Sequence, residues 1–466
     1  MEPRTSTRSR FRAASRNKRN WPYQTKHACI LASHGGMRRS QIINPMSHSS
    51  GNRPISTTSF SVNGRVFHPP HRPVVVICID GCADEYLNTS LAAGRMPHLA
   101  RMLAAGGFRG LVRGALPSFT NVNNASIVTG VAPSIHGISG NFFLDPATGD
   151  EVMMNSAAYL RAETILAAAA RAGRKVAMVT AKEKLRDMLS HGLDGIAFSA
   201  EKAGHTDEAT HGIACAEEFV GAPAPEIYSA EASLFVLRAG VALLQSGLAD
   251  FLYLSLTDYV QHKHAPHESE SLQFYEAIDH ELGRLLAQGA VLGATADHGM
   301  NAKQHLDGSP NVIYLETVLT ERFGEGIRVI LPITDPYVLH HGALGAFGVV
   351  HLPDPDMARS TSAFLMELNG ITEVHDSATA ARKLELPKDR IGDLVVLSGR
   401  DVAIGRTPAH HDLSAVRGGL RSHGGRYEEM VPLLVSAELK PTHLRYAQAD
   451  PRNFDVFDFV VNGVLA

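Results

Sequence analysis

Val74-Val75-Val76-Ile77-Cys78-Ile79-Asp80-Gly81 is the stretch from which the fold can be read. Six consecutive apolar residues, most of them β-branched, leave no polar face for solvent. The run therefore reads as a strand buried on both sides, as in a parallel sheet. Asp80-Gly81 ends it. Similar runs recur at 175–180, 251–256, 289–296 and 431–435. Helical patterns lie around them at 96–105, 157–172, 231–246 and 269–287, the first with Pro97 in its opening turn. Strand alternating with helix predicts an α/β fold, a doubly wound, mostly parallel sheet flanked by helices. Ligands of such sheets gather beyond the carboxyl ends of the strands. Asp80, Asp258 and Asp297 each come just after a strand candidate, so three carboxylates are expected to converge on that edge.

The pattern breaks between 302 and 420. Strand-like runs at 327–332, 347–352 and 391–397 and a helix at 357–368 read as an inserted α+β cap. The core would then comprise 61–301 and 421–466. The first 60 residues differ from the rest. From Met1 to Pro73 thirteen Lys/Arg face one acid, Glu2, whereas the remainder holds thirty-one bases against forty-six acids, about -15 beneath an overall charge of -3. The Arg/Ser/Asn-rich tail reads as a disordered lead segment, or as a start placed upstream of Met46, in preference to a targeting peptide.

An acidic body argues against a nucleic-acid surface. No apolar run approaches the roughly 20 residues that a membrane span requires. Four scattered cysteines, Cys29, Cys78, Cys82 and Cys215, form no CxxC pair and suggest neither a thiolate metal site nor a disulfide framework. With 44% apolar and 20% charged residues, the expectation is a cytoplasmic globular enzyme with no nucleic-acid or membrane partner. A homodimer is compatible with this composition.

The chemistry concentrates in two Asp/His pairs. Asp258 and His262 are four apart, so one helical turn puts them on the same side. Asp297 and His298 are adjacent, which suits a tight turn after a strand. Carboxylate oxygen with imidazole nitrogen is a ligand mix that zinc accepts, and two pairs suggest two metals. His423, ahead of the 431–435 run, and Thr120, in a polar turn leading into a helix at 124–129, complete the set. Each residue alone has a plainer reading: Asp297 as a helix cap, Thr120 as a turn residue, Asn141 as a loop residue, Lys182 and Lys184 as solvated charges. Their combination is what argues for a site.

The strings IDG at 79–81, PSFTN at 117–121, HGISGN at 136–141, TDYVQHKHAP at 257–266, ADHGM at 296–300 and SHGG at 422–425 together resemble the alkaline phosphatase superfamily, in its nucleotide pyrophosphatase/phosphodiesterase-like branch. The resemblance spans roughly 61–437. It implies two zinc ions per subunit, one on Asp258, His262 and His423, the other on Asp80, Asp297 and His298. Thr120 would serve as nucleophile and ligand, and Asn141 as a donor to a phosphoryl oxygen. The narrower likeness implies a small anionic phosphonate substrate, with cleavage of the carbon–phosphorus bond of phosphonoacetate to acetate and phosphate. The substrate carboxylate would need a cation, for which Lys182, Lys184 and Lys303 are the candidates. The alternatives are a nucleotide pyrophosphatase/phosphodiesterase, a metal-dependent phosphomutase and a zinc-stabilised binding protein.

Overall fold

In the computed structural model of the protein, residues 54–333, 344–414, 416 and 419–465 are described. The expected tail lies outside them up to residue 53. Seven strands form the central sheet in the order Phe108–Arg113, Met430–Val435, Val291–Thr295, Val74–Cys78, Phe251–Ser255, Val176–Thr180, Ile196–Ser199. The last five pair in parallel. Every residue of these five strands is buried, which is why their sequences carry no polar alternation. Helices Ala230–Gln245 and Ser269–Leu286 pack against each other, and helix Val456–Val461 packs on the strands Val291–Thr295 and Val74–Cys78.

Met430–Val435 runs against both of its neighbours. Its edge partner Phe108–Arg113 was not expected from sequence. Arg109, Gly110 and Arg113 interrupt the apolar run there, as an edge strand half open to solvent allows. The four-residue strand Ile196–Ser199 is too short to stand out. The helix expected over 157–172 is broken into a short turn, Ala157–Tyr159, and a helix, Ile165–Arg171. Two local caps cause the break: Ser156 accepts from the Ala158 amide, and Thr164 accepts from the Ala167 amide.

Within 302–420 lies a separate antiparallel four-stranded sheet in the order Arg328–Ile330, Phe347–His351, Leu394–Ser398, Ile371–Asp376. Helix Ala358–Glu367 packs on Ile371–Asp376. Near the two ends of this stretch Asn301–Ala302 pairs antiparallel with Arg421–Ser422, so the chain leaves and re-enters at one place.

Candidate active site

The register of the sheet sets the site. Cys78 pairs with Thr295 on one side and Ser255 on the other, and Ser255 pairs with Thr180 beyond. Four neighbouring strands therefore end on one line. Two or three residues past it stand Asp297, Asp80, Asp258 and Lys182, in the spatial order of their strands. Gly81 makes the approach possible. It has φ +72°, and a Cβ there would lie 2.9 Å from Asp258 Cβ.

Asp80, Asp258, Asp297, His298 and His423 are all buried. One ligand atom each from Asp258, His262 and His423 lies within 4.8 Å of the others, and the same holds for Asp80, Asp258 and His298. His262 Nε2 is 2.8 Å from Asp258 Oδ2, and His298 Nε2 is 3.2 Å from Asp80 Oδ1. Asp297 stays beside the second group, 3.8 Å from His298 Nε2, rather than closing it. Its Oδ1 accepts from the Gly81 and His298 amides, and its Oδ2 from Asn124 Nδ2.

The three histidines share one orientation. His262 Nδ1 faces the Arg421 carbonyl at 3.0 Å, His298 Nδ1 the Gly299 carbonyl at 2.9 Å, and His423 Nδ1 the Ser118 carbonyl at 2.8 Å. A carbonyl only accepts, so each Nδ1 carries a proton and each Nε2 faces the carboxylates, where it can bind a cation once any proton of its own has left. That is the tautomer a metal ligand needs. The donor set fits a divalent cation on a second count. Both Asp80 oxygens are buried without a hydrogen-bond partner, a costly arrangement unless a positive charge meets them.

The electrostatics agree. Burial and the neighbouring Asp80 carboxylate hold Asp297 well above the usual carboxylate range. Burial lowers the pKa of Lys182, but Asp258 and Asp80 more than offset it and hold the ammonium above its ordinary value. Its ammonium is 3.1 Å from Asp258 Oδ1 and 3.8 Å from Asp80 Oδ2. Burial and the nearby His298 push His423 well below its ordinary value.

Thr120 opens the helix Thr120–Thr129, which begins four residues earlier than the sequence suggested. Its Oγ1 is 3.4 Å from His298 Nε2. Asn141 Oδ1 accepts from the amide of the next residue, Asn121, at 3.0 Å, so the amide oxygen is engaged and Nδ2 is the side chain's donor. Lys184 sits two residues beyond Lys182, half-buried in the helix Glu183–Leu189. Lys303 departs from expectation. It is fully buried, and its ammonium is committed to Glu428 Oε1 at 2.8 Å and to the Arg400 carbonyl at 2.7 Å. With its side chain wholly enclosed, it has no face open to a substrate carboxylate, whereas Lys182 keeps part of its side chain exposed.

Sequence reasoning missed the residues that orient the candidate ligands. Asn124 bonds Asp297. Arg421 supplies the carbonyl for His262 and ties its own guanidinium to the Gln261 carbonyl and Tyr86 hydroxyl. Ser118 supplies the carbonyl for His423. Ser118 stands inside the PSFTN string, two residues before Thr120, which was the available signal.

The family model for type I phosphodiesterase / nucleotide pyrophosphatase matches residues 74–425. Crystal structures of phosphonoacetate hydrolase from Sinorhizobium meliloti, in complex with phosphonoformate and with phosphonoacetate, are 45% identical with TM-score 0.82, covering 88% of this chain and 99% of that one. Murine ectonucleotide pyrophosphatase/phosphodiesterase 5 in complex with AMP shares the fold at 15% identity and TM-score 0.57, covering 85% of this chain and 96% of the other. An uncharacterised pyrophosphatase/phosphodiesterase of Schizosaccharomyces pombe is 35% identical over 98 residues, 21% of this chain and only 19% of that curated relative.

Proposed function

This chain belongs to the type I phosphodiesterase / nucleotide pyrophosphatase family, and from that premise we propose that it hydrolyses phosphonoacetate to acetate and phosphate, with Thr120 as nucleophile and two zinc ions per subunit. The observation that carries the reading is the meeting of three carboxylates and three Nε2-presenting histidines beside one helix-opening hydroxyl. The 45% identity to the Sinorhizobium enzyme over nearly its full length supports the choice of substrate.

Asp258, His262 and His423 would hold one cation, and Asp80, Asp297, His298 and Thr120 the other. When bound, such a pair would supply positive charge that lowers the pKa of a hydroxyl and offsets the negative charge on the attacking and phosphoryl oxygens. Thr120 Oγ1 attacks phosphorus, and the phosphorus–carbon bond breaks with its electron pair passing to carbon. That carbon takes a proton from solvent, balancing the one that the Thr120 hydroxyl gives up on attack, to become the methyl of acetate. Water then hydrolyses the phosphothreonine, returning Thr120 and releasing phosphate. Asn141 Nδ2 donates to a phosphoryl oxygen. Lys182, with Lys184 behind it, meets the substrate carboxylate. The 302–420 insert acts as the cap over this small substrate and keeps bulk water out. The reading places the enzyme in the cytoplasm, in keeping with the free, buried thiols of Cys78 and Cys82. Among the described residues no helix is long and apolar enough to cross a membrane.

The direct test is phosphate release from phosphonoacetate by the zinc-loaded protein, compared with turnover of a nucleotide diester. Brisk diester cleavage with no release from the phosphonate would transfer the assignment to the diesterase reading that the family model also allows.

A further inference from the structure

We propose that the buried Lys303–Glu428 pair is a positioning clasp that fixes the spacing between the loops bearing His298 and His423, and through them the separation of the two cations. The inference rests on the two-cation reading above, which assigns these histidines to different ions.

Glu428 is fully buried and touches both loops. Its Oε2 accepts from the Gly425 amide at 3.0 Å, two residues past His423. Its Oε1 accepts from Asn301 Nδ2 at 2.7 Å and from Lys303 Nζ at 2.8 Å, on and just past the short strand that follows His298. Its backbone carbonyl accepts from the Gly299 amide at 2.7 Å, next to His298. One residue of the His423 segment thus closes three bonds to the His298 segment and a fourth, to Gly425, within its own. The imidazoles those segments carry lie face to face, with centroids 3.4 Å apart and planes 6° apart.

Only a carboxylate fits this post. Its two oxygens each accept, one from the His423 loop and one from the His298 side. A glutamine offers a single acceptor, so its NH2 would confront either the Gly425 amide or the Lys303 ammonium, donor against donor. Lys303 neutralises the buried charge, and the Arg400 carbonyl and the pairing of its own amide with the Leu420 carbonyl hold it in place. A buried ion pair is weak grounds for stability, because apolar replacements of similar volume are often as stable. Its orienting bonds are the better reason for this one, since groups that hold metal ligands typically alter metal affinity or activity by about 10–100-fold when removed.

The test compares wild type, Glu428→Gln and the apolar double variant Lys303→Met/Glu428→Met. In metal-free wild type the Gly425 amide should be among the slowest to exchange with deuterium. In both variants it should exchange at least about tenfold faster, while the double variant keeps a melting temperature near that of wild type. Loaded with manganese, the double variant should show an altered exchange-coupled electron paramagnetic signal. It should also show kcat lowered about 10–100-fold with KM little changed. A double variant with wild-type coupling and kcat, or fast Gly425 exchange in wild type, overturns the clasp. The amide comparison needs neither cation nor substrate. It therefore still decides the clasp if the functional reading fails.

Discussion

Asn124 donates from Nδ2 to Asp297 Oδ2 at 3.2 Å and to the Thr120 carbonyl at 3.0 Å, so one amide joins a metal-ligand candidate to the residue proposed as nucleophile. Its other end is equally fixed, with Oδ1 accepting from the Tyr253 and Ser255 hydroxyls on the strand that leads to Asp258. Asn124→Ala should leave the fold intact and weaken metal retention by about 10–100-fold, read by competition with a chelator. Wild-type retention in that variant would show that Asp297 is held without it.

Thr120→Ala should abolish turnover, a loss of at least about 10³-fold, while metal content stays at the wild-type ratio. Rapid quench of wild type with substrate, followed by mass spectrometry, should find phosphate on Thr120. A turnover-competent alanine variant would remove the hydroxyl from the mechanism.

Lys182→Gln should discriminate between substrates. KM for phosphonoacetate should rise about tenfold or more, because a charge-assisted bond to the carboxylate is lost. A phosphonate ester without a carboxylate should be affected far less. Equal losses on both would mean that Lys182 serves Asp258 and Asp80 alone.

Cation uptake should depend on pH. In the metal-free site burial opposes a charge on His298, but Asp297 and Asp80 hold its pKa up to about 10. An entering cation must displace that proton, so affinity should rise with pH up to about 10, approaching tenfold per unit for each proton released. Titration calorimetry in buffers of different ionisation heat measures the proton count. Removal of the metals should also lower the melting temperature, as ligands that bind the folded state alone stabilise it by mass action.

His136 offers a stability prediction away from the metals. The Ile138 amide donates to its Nδ1, so Nε2 carries the proton and donates to Ser126 Oγ at 2.8 Å. Burial lowers its pKa from 6.5 to about 3. The unfolded chain therefore binds a proton that the folded chain refuses. Stability from this group is complete above 6.5 and is lost as pH falls toward 3, at about 1.4 kcal/mol per unit. His136→Asn should be less stable at neutral pH but show a flatter acid slope, measured by urea unfolding between pH 7 and 4.

Much of this was legible in the sequence because it is local. An unbroken apolar run names a buried strand, and an acid just after it names the sheet edge, which placed Asp80, Asp258 and Asp297. The Asp258–His262 spacing is a property of one helical turn. The burial of Lys303 is not legible, because its partner Glu428 lies far along the chain and no local pattern tells a buried lysine from a substrate-facing one. Thr120 was put ahead of its helix because PSFTN reads as a turn, whereas the helix starts within it. The direction of Met430–Val435 was equally hidden, since its residues would read the same either way.

That direction has an outcome for how the protein matures. A strand entering the sheet against its neighbours begins where theirs finish, so the residues just before it, His423 among them, arrive at the carboxyl edge. Had it run with them, His423 would have been delivered to the opposite end. A nascent chain emerging from the ribosome would thus present the other candidate ligands before His423, and on the two-cation reading proposed above the site is complete only once this strand has inserted.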